Sequence, residues 1–246
     1  MNKEFSVALV GASGVVGKKI IKLLEKRLFP VGKFIPLGNS TVGSSIEFNN
    51  KKYLIESLEN FDPQTAQIII FSAGSTVAEK YARDFVAAGS FVVDLSSNFR
   101  YQDDVPLIIP EINGDIIESL SKPSLIANPN CSTAQLLMAL KPIHDNAKIK
   151  FLNIATYQAV SGTGKDALEE LHNQTYFTDS ENESVVYPKQ IAFNVIPQCD
   201  IFLENNFTKE EMKLTWETHK ILDSSIRIQA TCVRVPVYNG HSEAVF

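Results

Sequence analysis

Apolar positions in the first half of the chain come in short unbroken runs. Each is followed by a glycine-bearing turn or by apolar residues spaced three and four apart. Phe5-Ser-Val-Ala-Leu-Val10 is the first run, and Gly11-Ala-Ser-Gly-Val-Val-Gly17 follows at once. Over residues 18–28, Ile20, Ile21, Leu23, Leu24 and Leu28 fall against Lys18, Lys19, Lys22, Glu25 and Lys26, the period of an amphipathic helix. The pattern predicts strand, glycine turn, helix. A second such unit is predicted through residues 46–55. A third strand is predicted over 68–72, with a helix over 77–88 ended by Gly89, and a fourth strand over 91–94. Apolar strands alternating with helices imply a parallel sheet covered on both faces.

The texture changes near residue 130. Residues 149–159 and 226–237 alternate as long strands, and Ser161-Gly-Thr-Gly164 reads as a turn. Helices are predicted over 165–172 and 208–222. The second is capped by Thr208 with Glu211 three residues on, a capping box. Residues 179–184 are polar and loop-like. Longer strands with fewer helices between them imply an α+β unit whose sheet is largely antiparallel. The expected fold class is α/β: a Rossmann-type dinucleotide-binding domain over 1–130 and an α+β catalytic domain over 131–246.

The bulk properties exclude several classes. The 246 residues carry a net charge of −5 with no basic stripe, which argues against nucleic acid as a partner. No apolar run approaches the ~20 residues of a membrane span, and the first residues lack the apolar core of a signal peptide. Cys131, Cys199 and Cys232 are too widely spaced for a zinc site or a disulfide framework, and no His/Cys/Asp/Glu group has metal-ligand spacing. A cytosolic protein is the simplest expectation.

The chemistry centres on Cys131, within Asn-Pro-Asn-Cys-Ser-Thr. Residues 132–140 are strong helix formers, Pro142 is expected to close the run, and Asn130 can serve as N-cap. A thiol in a helix's first turn meets unpaired N–H groups and the positive end of the dipole, and both favour the nucleophilic thiolate. The competing reading is a buried, inert cysteine.

Gly11, Gly14 and Gly17 form G-x-x-G-x-x-G between a strand and a helix, where a bare backbone and a helix N-terminus suit a phosphate. A carboxylate after the second strand favours NAD and an arginine NADP, but Leu37-Gly-Asn-Ser-Thr-Val-Gly43 has neither. His144, His172 and His219 read as solvated. His241 differs: it closes Arg234-Val-Pro-Val-Tyr-Asn-Gly-His241, an arginine and a histidine around a turn, suited to proton transfer. Arg100 ends Asp94-Leu-Ser-Ser-Asn-Phe-Arg100 after a buried strand. It is either an anion-binding fork or a surface arginine.

Together these segments resemble aspartate-semialdehyde dehydrogenase along the whole chain. The resemblance rests on Gly11–Gly17, Ser96-Ser-Asn-Phe-Arg100, Val105-Pro-Leu-Ile-Ile-Pro-Glu-Ile-Asn113 and Asn128-Pro-Asn-Cys-Ser-Thr133. It continues through Thr156-Tyr-Gln-Ala-Val-Ser-Gly-Thr-Gly164, Asn194-Val-Ile-Pro-Gln198, Glu210-Glu-Met-Lys213 and Cys232-Val-Arg-Val-Pro-Val-Tyr-Asn-Gly-His241.

The resemblance implies Cys131 as the acyl-forming nucleophile, His241 as acid/base and Gln158 positioning the thioacyl group. It assigns Arg234 to the substrate carboxylate, Glu210 to the amino group, Arg100 and Lys213 to phosphate, and Asn130 to the substrate site. Gly11, Ser13, Gly14, Val15, Val16, Ser40, Thr41, Ser161 and Gly162 would contact NADP, with NAD left open. The reaction so implied is the reductive dephosphorylation of L-aspartyl-4-phosphate in lysine, threonine, methionine and diaminopimelate biosynthesis, by a homodimer.

Ser40-Thr41 stand where many relatives carry Arg-Ser, and Leu95 where Asn is common. Relatives also continue past the position of Phe246, so the catalytic domain is expected to be incomplete. An inactive remnant and N-acetyl-γ-glutamyl-phosphate reductase are the alternatives.

Overall fold

The computed structural model describes residues 4–177 and 185–246. The polar stretch 179–184 lies outside the described residues. The chain divides into two units, Met1–Pro129 and Asn130–Phe246.

In the first unit, β1 (Phe5–Val10) leads through the glycine turn into α1 (Val15–Lys26), and β2 (Val31–Gly38) returns parallel to β1. α1 begins earlier than its apolar period suggests, because extended Gly14 delivers the chain straight into the helix at Val15. It ends ahead of Leu28, whose φ of +49° turns the chain away.

Residues 46–55 are not a second strand–turn–helix unit. They form a hairpin of β3 (Ser45–Phe48) and β4 (Lys51–Leu54). Asn49 and Asn50, with φ of 49° and 61°, make the two-residue turn whose twist matches the flanking strands. Ile46 and Phe48 alternate with Glu47, a period of two that no helix uses. The hairpin presents Phe48 and Tyr53 to Phe34, at ring centroid separations of 4.6 and 5.5 Å. With Leu9 and Ile21 these rings form the core beside α1.

The unit continues with β5 (Glu56–Ser57), β6 (Ile68–Phe71), α2 (Ser75–Ala87) and β7 (Phe91–Asp94). Two single-turn helices, α3 (Pro110–Asn113) and α4 (Asp115–Glu118), precede β8 (Leu125–Ala127). Gly89, at φ +105°, turns the chain out after α2. The six-stranded sheet is parallel throughout, in the order β5-β2-β1-β6-β7-β8. The chain winds outward from β1 to β2 and then crosses to β6 on the other side. The carboxyl ends of β1 and β6 therefore flank the switch point where such sheets bind ligands.

The second unit opens with α5 (Cys131–Ala147), followed by β9 (Phe151–Gln158) and α6 (Lys165–Tyr176). Then come α7 (Lys209–Ile221), β10 (Arg227–Arg234) and β11 (Ser242–Val245). Pro142 does not close α5; the helix runs on to Ala147. The ring costs a single bond to the carbonyl four residues back, and the apolar face through Leu136, Leu137 and Leu140 keeps the helix docked. α6 extends beyond residue 172 to Tyr176.

The sheet is mixed rather than largely antiparallel. β10 pairs parallel with β9 along its length, and β11 pairs antiparallel on the other side of β9. Two helices fit in the connection from β9 to β10, long enough for the crossover that a parallel return requires. α5 and α7 cover one face through Leu136, Leu140 and Leu214, against Leu152, Ile154, Ala230 and Cys232. On the opposite face Phe151, Tyr157 and Phe246 are exposed.

Two histidines depart from the solvated reading. His144 is buried, with Nε2 3.3 Å from an Asp223 carboxylate oxygen. His219 is half-buried, with Nε2 2.8 Å from the Ile226 carbonyl oxygen. Both sit on inward faces of α5 and α7, which the surrounding polar residues concealed. His172 is exposed and packs against the Tyr176 ring at a tilt of 47°.

Candidate active site

In the first unit the glycine turn is closed by contact. Gly11 has φ +80°, and a Cβ there would lie 3.0 Å from the Ser72 carbonyl carbon; at Gly17 it would lie 2.3 Å from the Gly11 carbonyl oxygen. Only glycine leaves the turn this tight. Ser72, past β6, donates its hydroxyl to the Val10 and Gly11 carbonyls at 2.8 and 3.2 Å. Gly14 is the N-cap of α1 and offers no side-chain cap. The first-turn N–H groups of Val15, Val16 and Gly17 are thus left for an anion. This cradle, at the switch point of a parallel sheet, fits a dinucleotide. Beyond β2, the hydroxyls of Ser13 and Thr41 lie 3.1 Å apart, and Ser40 is exposed beside them.

Arg100 is buried, which rules out the surface-arginine reading. Its loop is organised by Asp94 at the end of β7, a residue that sequence reasoning passed over. The Asp94 carboxylate accepts the Ser96 N–H and hydroxyl at 3.0 and 2.7 Å, and the Ser96 hydroxyl accepts the Asn98 N–H. Arg100 donates to the Leu95 carbonyl at 3.1 Å. Burial raises the Asp94 pKa against the pull of its Ser96 bonds and of Arg100. An aspartate two residues before a serine was the available signal.

In the second unit Cys131 is the first residue of α5 and is exposed, whereas Cys199 and Cys232 are buried. Burial pushes the Cys199 thiol up to about 11 and raises that of Cys232 as well, which makes both poor nucleophiles. The inert-cysteine reading fits those two. Asn130 caps α5 by accepting the Ser132 N–H at 2.9 Å, and its own Nδ2 donates to Glu210 at 3.0 Å. Gln158, at the end of β9 and buried, lies with Nε2 3.2 Å from both the Ser132 hydroxyl and Glu210. Lys213, one turn along α7, donates to Glu210 at 2.9 Å and to Asp200 at 2.8 Å.

Burial opposes charge on Glu210, but Lys213 and the bonds from Asn130 and Gln158 outweigh it and hold the carboxyl below its ordinary pKa. Lys213 is likewise penalised by burial yet raised by Glu210 and Asp200. The capping box of Thr208 and Glu211 sets the start of α7 and so the phase of this pair.

Gln158 is followed by Ala159, whose backbone serves two further residues. The Ala159 N–H donates to His241 Nδ1 at 3.0 Å, and its carbonyl accepts from Arg234 Nη1 at 2.8 Å. Ser161 and Gly162 follow in a 3-10 turn, with the Gly162 α-carbon packed so near that a Cβ would reach 3.2 Å from the His241 ring. Because Nδ1 is an acceptor, the neutral ring carries its proton on Nε2. Protonating Nδ1 would forfeit the Ala159 bond. Burial first, and then the Arg234 charge, lower the His241 pKa below its usual value, against the opposing Glu210.

An NMR titration of the His241 ring is expected to give a midpoint below the ordinary ~6.5. Since the unfolded chain binds this proton more readily, His241's contribution to stability is complete above ~6.5 and is lost as pH falls through the folded midpoint. A midpoint at or above 6.5 would contradict the acceptor role of Nδ1.

The Arg234 guanidinium is buried, 5.8 Å over the Tyr187 ring, and its Nε has no partner among the described residues. A buried guanidinium donor left unbonded is one that a carboxylate would satisfy. The site residues read from the second half of the sequence, namely Asn130, Cys131, Gln158, Ser161, Gly162, Glu210, Lys213, Arg234 and His241, all lie in this unit. Asn130, Gln158, Glu210 and Lys213 share one hydrogen-bond network, and Arg234 and His241 meet at Ala159, the residue after Gln158. Gly11, Ser13, Gly14, Val15, Val16, Ser40, Thr41 and Arg100 lie in the first. Glu217 was missed; it accepts the Asn130 N–H from 87 residues away. Among the described residues no group of three or more His, Cys, Asp or Glu could hold a metal ion, and no helix is long and apolar enough to cross a membrane.

Two family profiles match the chain. "Semialdehyde dehydrogenase, NAD binding domain" covers residues 6–120, and "Semialdehyde dehydrogenase, dimerisation domain" covers residues 140–246. Among curated proteins, aspartate-semialdehyde dehydrogenase of Shewanella violacea is 51% identical over all of this chain and 74% of its own length. Aspartate-semialdehyde dehydrogenase 2 of Vibrio cholerae is 45% identical over the same shares. The crystal structure of aspartate semialdehyde dehydrogenase II from Vibrio cholerae, complexed with ASA, superposes with a TM-score of 0.96 at 44% identity, over 99% of this chain and 74% of that one.

Proposed function

Because the chain belongs to the aspartate-semialdehyde dehydrogenase family, we propose that it reduces L-aspartyl-4-phosphate to L-aspartate 4-semialdehyde, with loss of phosphate, through a thioester on Cys131. The observation that carries this reading is one cluster in the second unit. An exposed thiol starts a helix whose cap residue is bonded to the same Glu210 that meets Gln158 and Lys213.

The Cys131 thiolate attacks the acyl carbon, the carbon–sulfur bond forms, the carbon–oxygen bond to phosphorus breaks, and phosphate leaves. The bound nicotinamide, when present, supplies hydride to the thioester carbon. His241 is assigned to charge that would develop on the acyl oxygen, a role the Nε2–H of its tautomer suits. Restoring the carbonyl would break the carbon–sulfur bond and free Cys131 as thiolate. Gln158, fixed at the end of β9, orients the thioacyl group. Arg234 takes the substrate carboxylate on its Nε edge, Glu210 the ammonium, and Lys213 the phosphate. The anionic Glu210 suits an amino acid substrate.

In the first unit the glycine cradle takes the dinucleotide pyrophosphate, and Arg100 offers a guanidinium to an anionic group. NADP is the proposed cofactor, because no carboxylate follows β2 to hold a ribose 2′-hydroxyl. The hydroxyls of Ser13, Ser40 and Thr41 are the polar groups at that turn. Lacking an arginine, their grip on a 2′-phosphate is weak. Ser40→Arg is expected to raise the NADP-to-NAD ratio of kcat/KM by about tenfold. An unchanged ratio would remove that turn from cofactor choice. The exposed sheet face with Phe151, Tyr157 and Phe246 is the surface we assign to pairing with a second copy.

The test is direct. Purified chain is given aspartate semialdehyde, phosphate and NADP, and reduced nicotinamide is followed, with Cys131→Ala as control. Thiol-dependent turnover is expected. A folded wild-type chain that forms no product overturns the proposal.

A further inference from the structure

We propose that Glu217 of α7 is a positioning residue for the nucleophile, completing the N-terminal cap of α5 from a second helix. The inference rests on the reading of Cys131 as nucleophile. Glu217 is fully buried, and its carboxylate accepts the Asn130 N–H at 2.6 Å, on the residue directly before Cys131.

In an ordinary capping box the third helical residue, a Glu or Gln, reaches back to the N–H of the cap. α7 itself does this, with Glu211 accepting the Thr208 N–H at 2.6 Å. In α5 that position is Thr133, too short to reach back, and its buried hydroxyl has no partner among the described residues. Glu217 supplies the missing acceptor. Two turns earlier on α7, Glu210 holds the side-chain Nδ2 of the same asparagine. Asn130 Oδ1 is occupied by the Ser132 N–H. Every polar group of Asn130 that could let the chain swing is thereby tied, on both sides of Cys131.

The arrangement has an electrostatic cost. A carboxylate near the start of α5 opposes the thiolate that the helix end favours. The other charged or titratable groups of this cluster are Glu210, Glu211 and Lys213 on α7, Asp200 beside Lys213, Arg234 on β10, and His241. Placement of the sulfur is what the Glu217 bond provides in exchange.

Two variants of the whole chain separate charge from placement, each checked by circular dichroism. Glu217→Gln keeps an acceptor for the Asn130 N–H and removes the charge. It is expected to turn over within about threefold of wild type, while the pH midpoint of Cys131 alkylation by iodoacetamide moves down by roughly one unit. Glu217→Ala removes the acceptor, and kcat is expected to fall roughly thirtyfold with KM for aspartate semialdehyde within about threefold.

If the wild-type chain gives no turnover, the proposed reaction fails, and the alkylation profile alone decides the role of Glu217. If Glu217→Ala does not fold, the Glu217→Gln profile decides. An unchanged alkylation midpoint in Glu217→Gln, or a KM rise with kcat preserved in Glu217→Ala, overturns the proposal.

Discussion

Replacing Cys131 by alanine is expected to cut phosphate-dependent oxidation of aspartate semialdehyde by on the order of 10⁴-fold or more, while the chain keeps its fold. The size follows from the role: with no sulfur there is no thioester, and the remaining groups can only bind and polarise. The fold should tolerate the change, because Cys131 is exposed at the first position of α5 and alanine is the best helix former. Surface substitutions of this kind stay within about 0.5 kcal/mol. Thermal unfolding beside the activity assay checks both parts. Cys199→Ala is the contrasting control, since that buried thiol is raised to about 11 and should be dispensable for turnover while its removal is felt in stability. Activity that survives in Cys131→Ala would end the thioester mechanism.

The second large effect concerns Arg234. Arg234→Leu is expected to lower kcat/KM for aspartate semialdehyde on the order of 10³-fold, because a bidentate partner for a carboxylate is lost from a buried site. Arg234→Lys should recover only part of this, since an ammonium keeps the charge and lacks the fork. The leucine variant also takes the charged donor from the Ala159 carbonyl and leaves it the longer Gly162 N–H bond, at a cost of about 1–3 kcal/mol. A second readout distinguishes recognition from general damage. Arg234 is one of the groups that hold the His241 pKa down, so the His241 midpoint should rise in Arg234→Leu and stay low in Arg234→Lys. Loss of affinity with no movement of that midpoint would place Arg234 away from His241 in solution.

Much of the first unit was legible because its signals are local. The turn needs a positive φ at Gly11 and leaves no room for a Cβ at Gly17, so both glycines announce themselves in the sequence. The hairpin at 45–54 is hard to read for the opposite reason. Its strands are four residues each, too short for a period of two to stand out beside the strand–turn–helix repeat of the neighbouring segments. Pro142 misled in the same way: the local penalty of proline is real, but docking of the α5 apolar face outweighs it. His144 lay on an inward helix face, where its burial depends on Asp223 beyond the end of α7.

The candidate site divides along the same line. Cys131 at a helix start, the Asn130 cap, and the Thr208–Glu211 box are readable because cap and capped group lie within three residues of each other. Neither the sheet pairing nor the charges around the site could be read this way. The parallel return of β10 beside β9 brings Arg234 level with Gln158. From there the Ala159 backbone meets Arg234 across 75 residues and His241 across 82, and Glu217 reaches Asn130 across 87.

The sequence by itself determined the periodicities, the glycine turn, the helix starts and which residue types carry the chemistry, since these are set by backbone sterics and by bonds a few residues long. Only the tertiary structure decided which nitrogen of His241 bears the proton, that Glu210 stays charged beside Lys213, and which carboxylate holds the residue before the nucleophile. Those outcomes depend on burial and on partners chosen by the packing of β9, β10, α5 and α7. No local pattern encodes them, because the desolvation that makes each bond matter exists only once the elements are assembled.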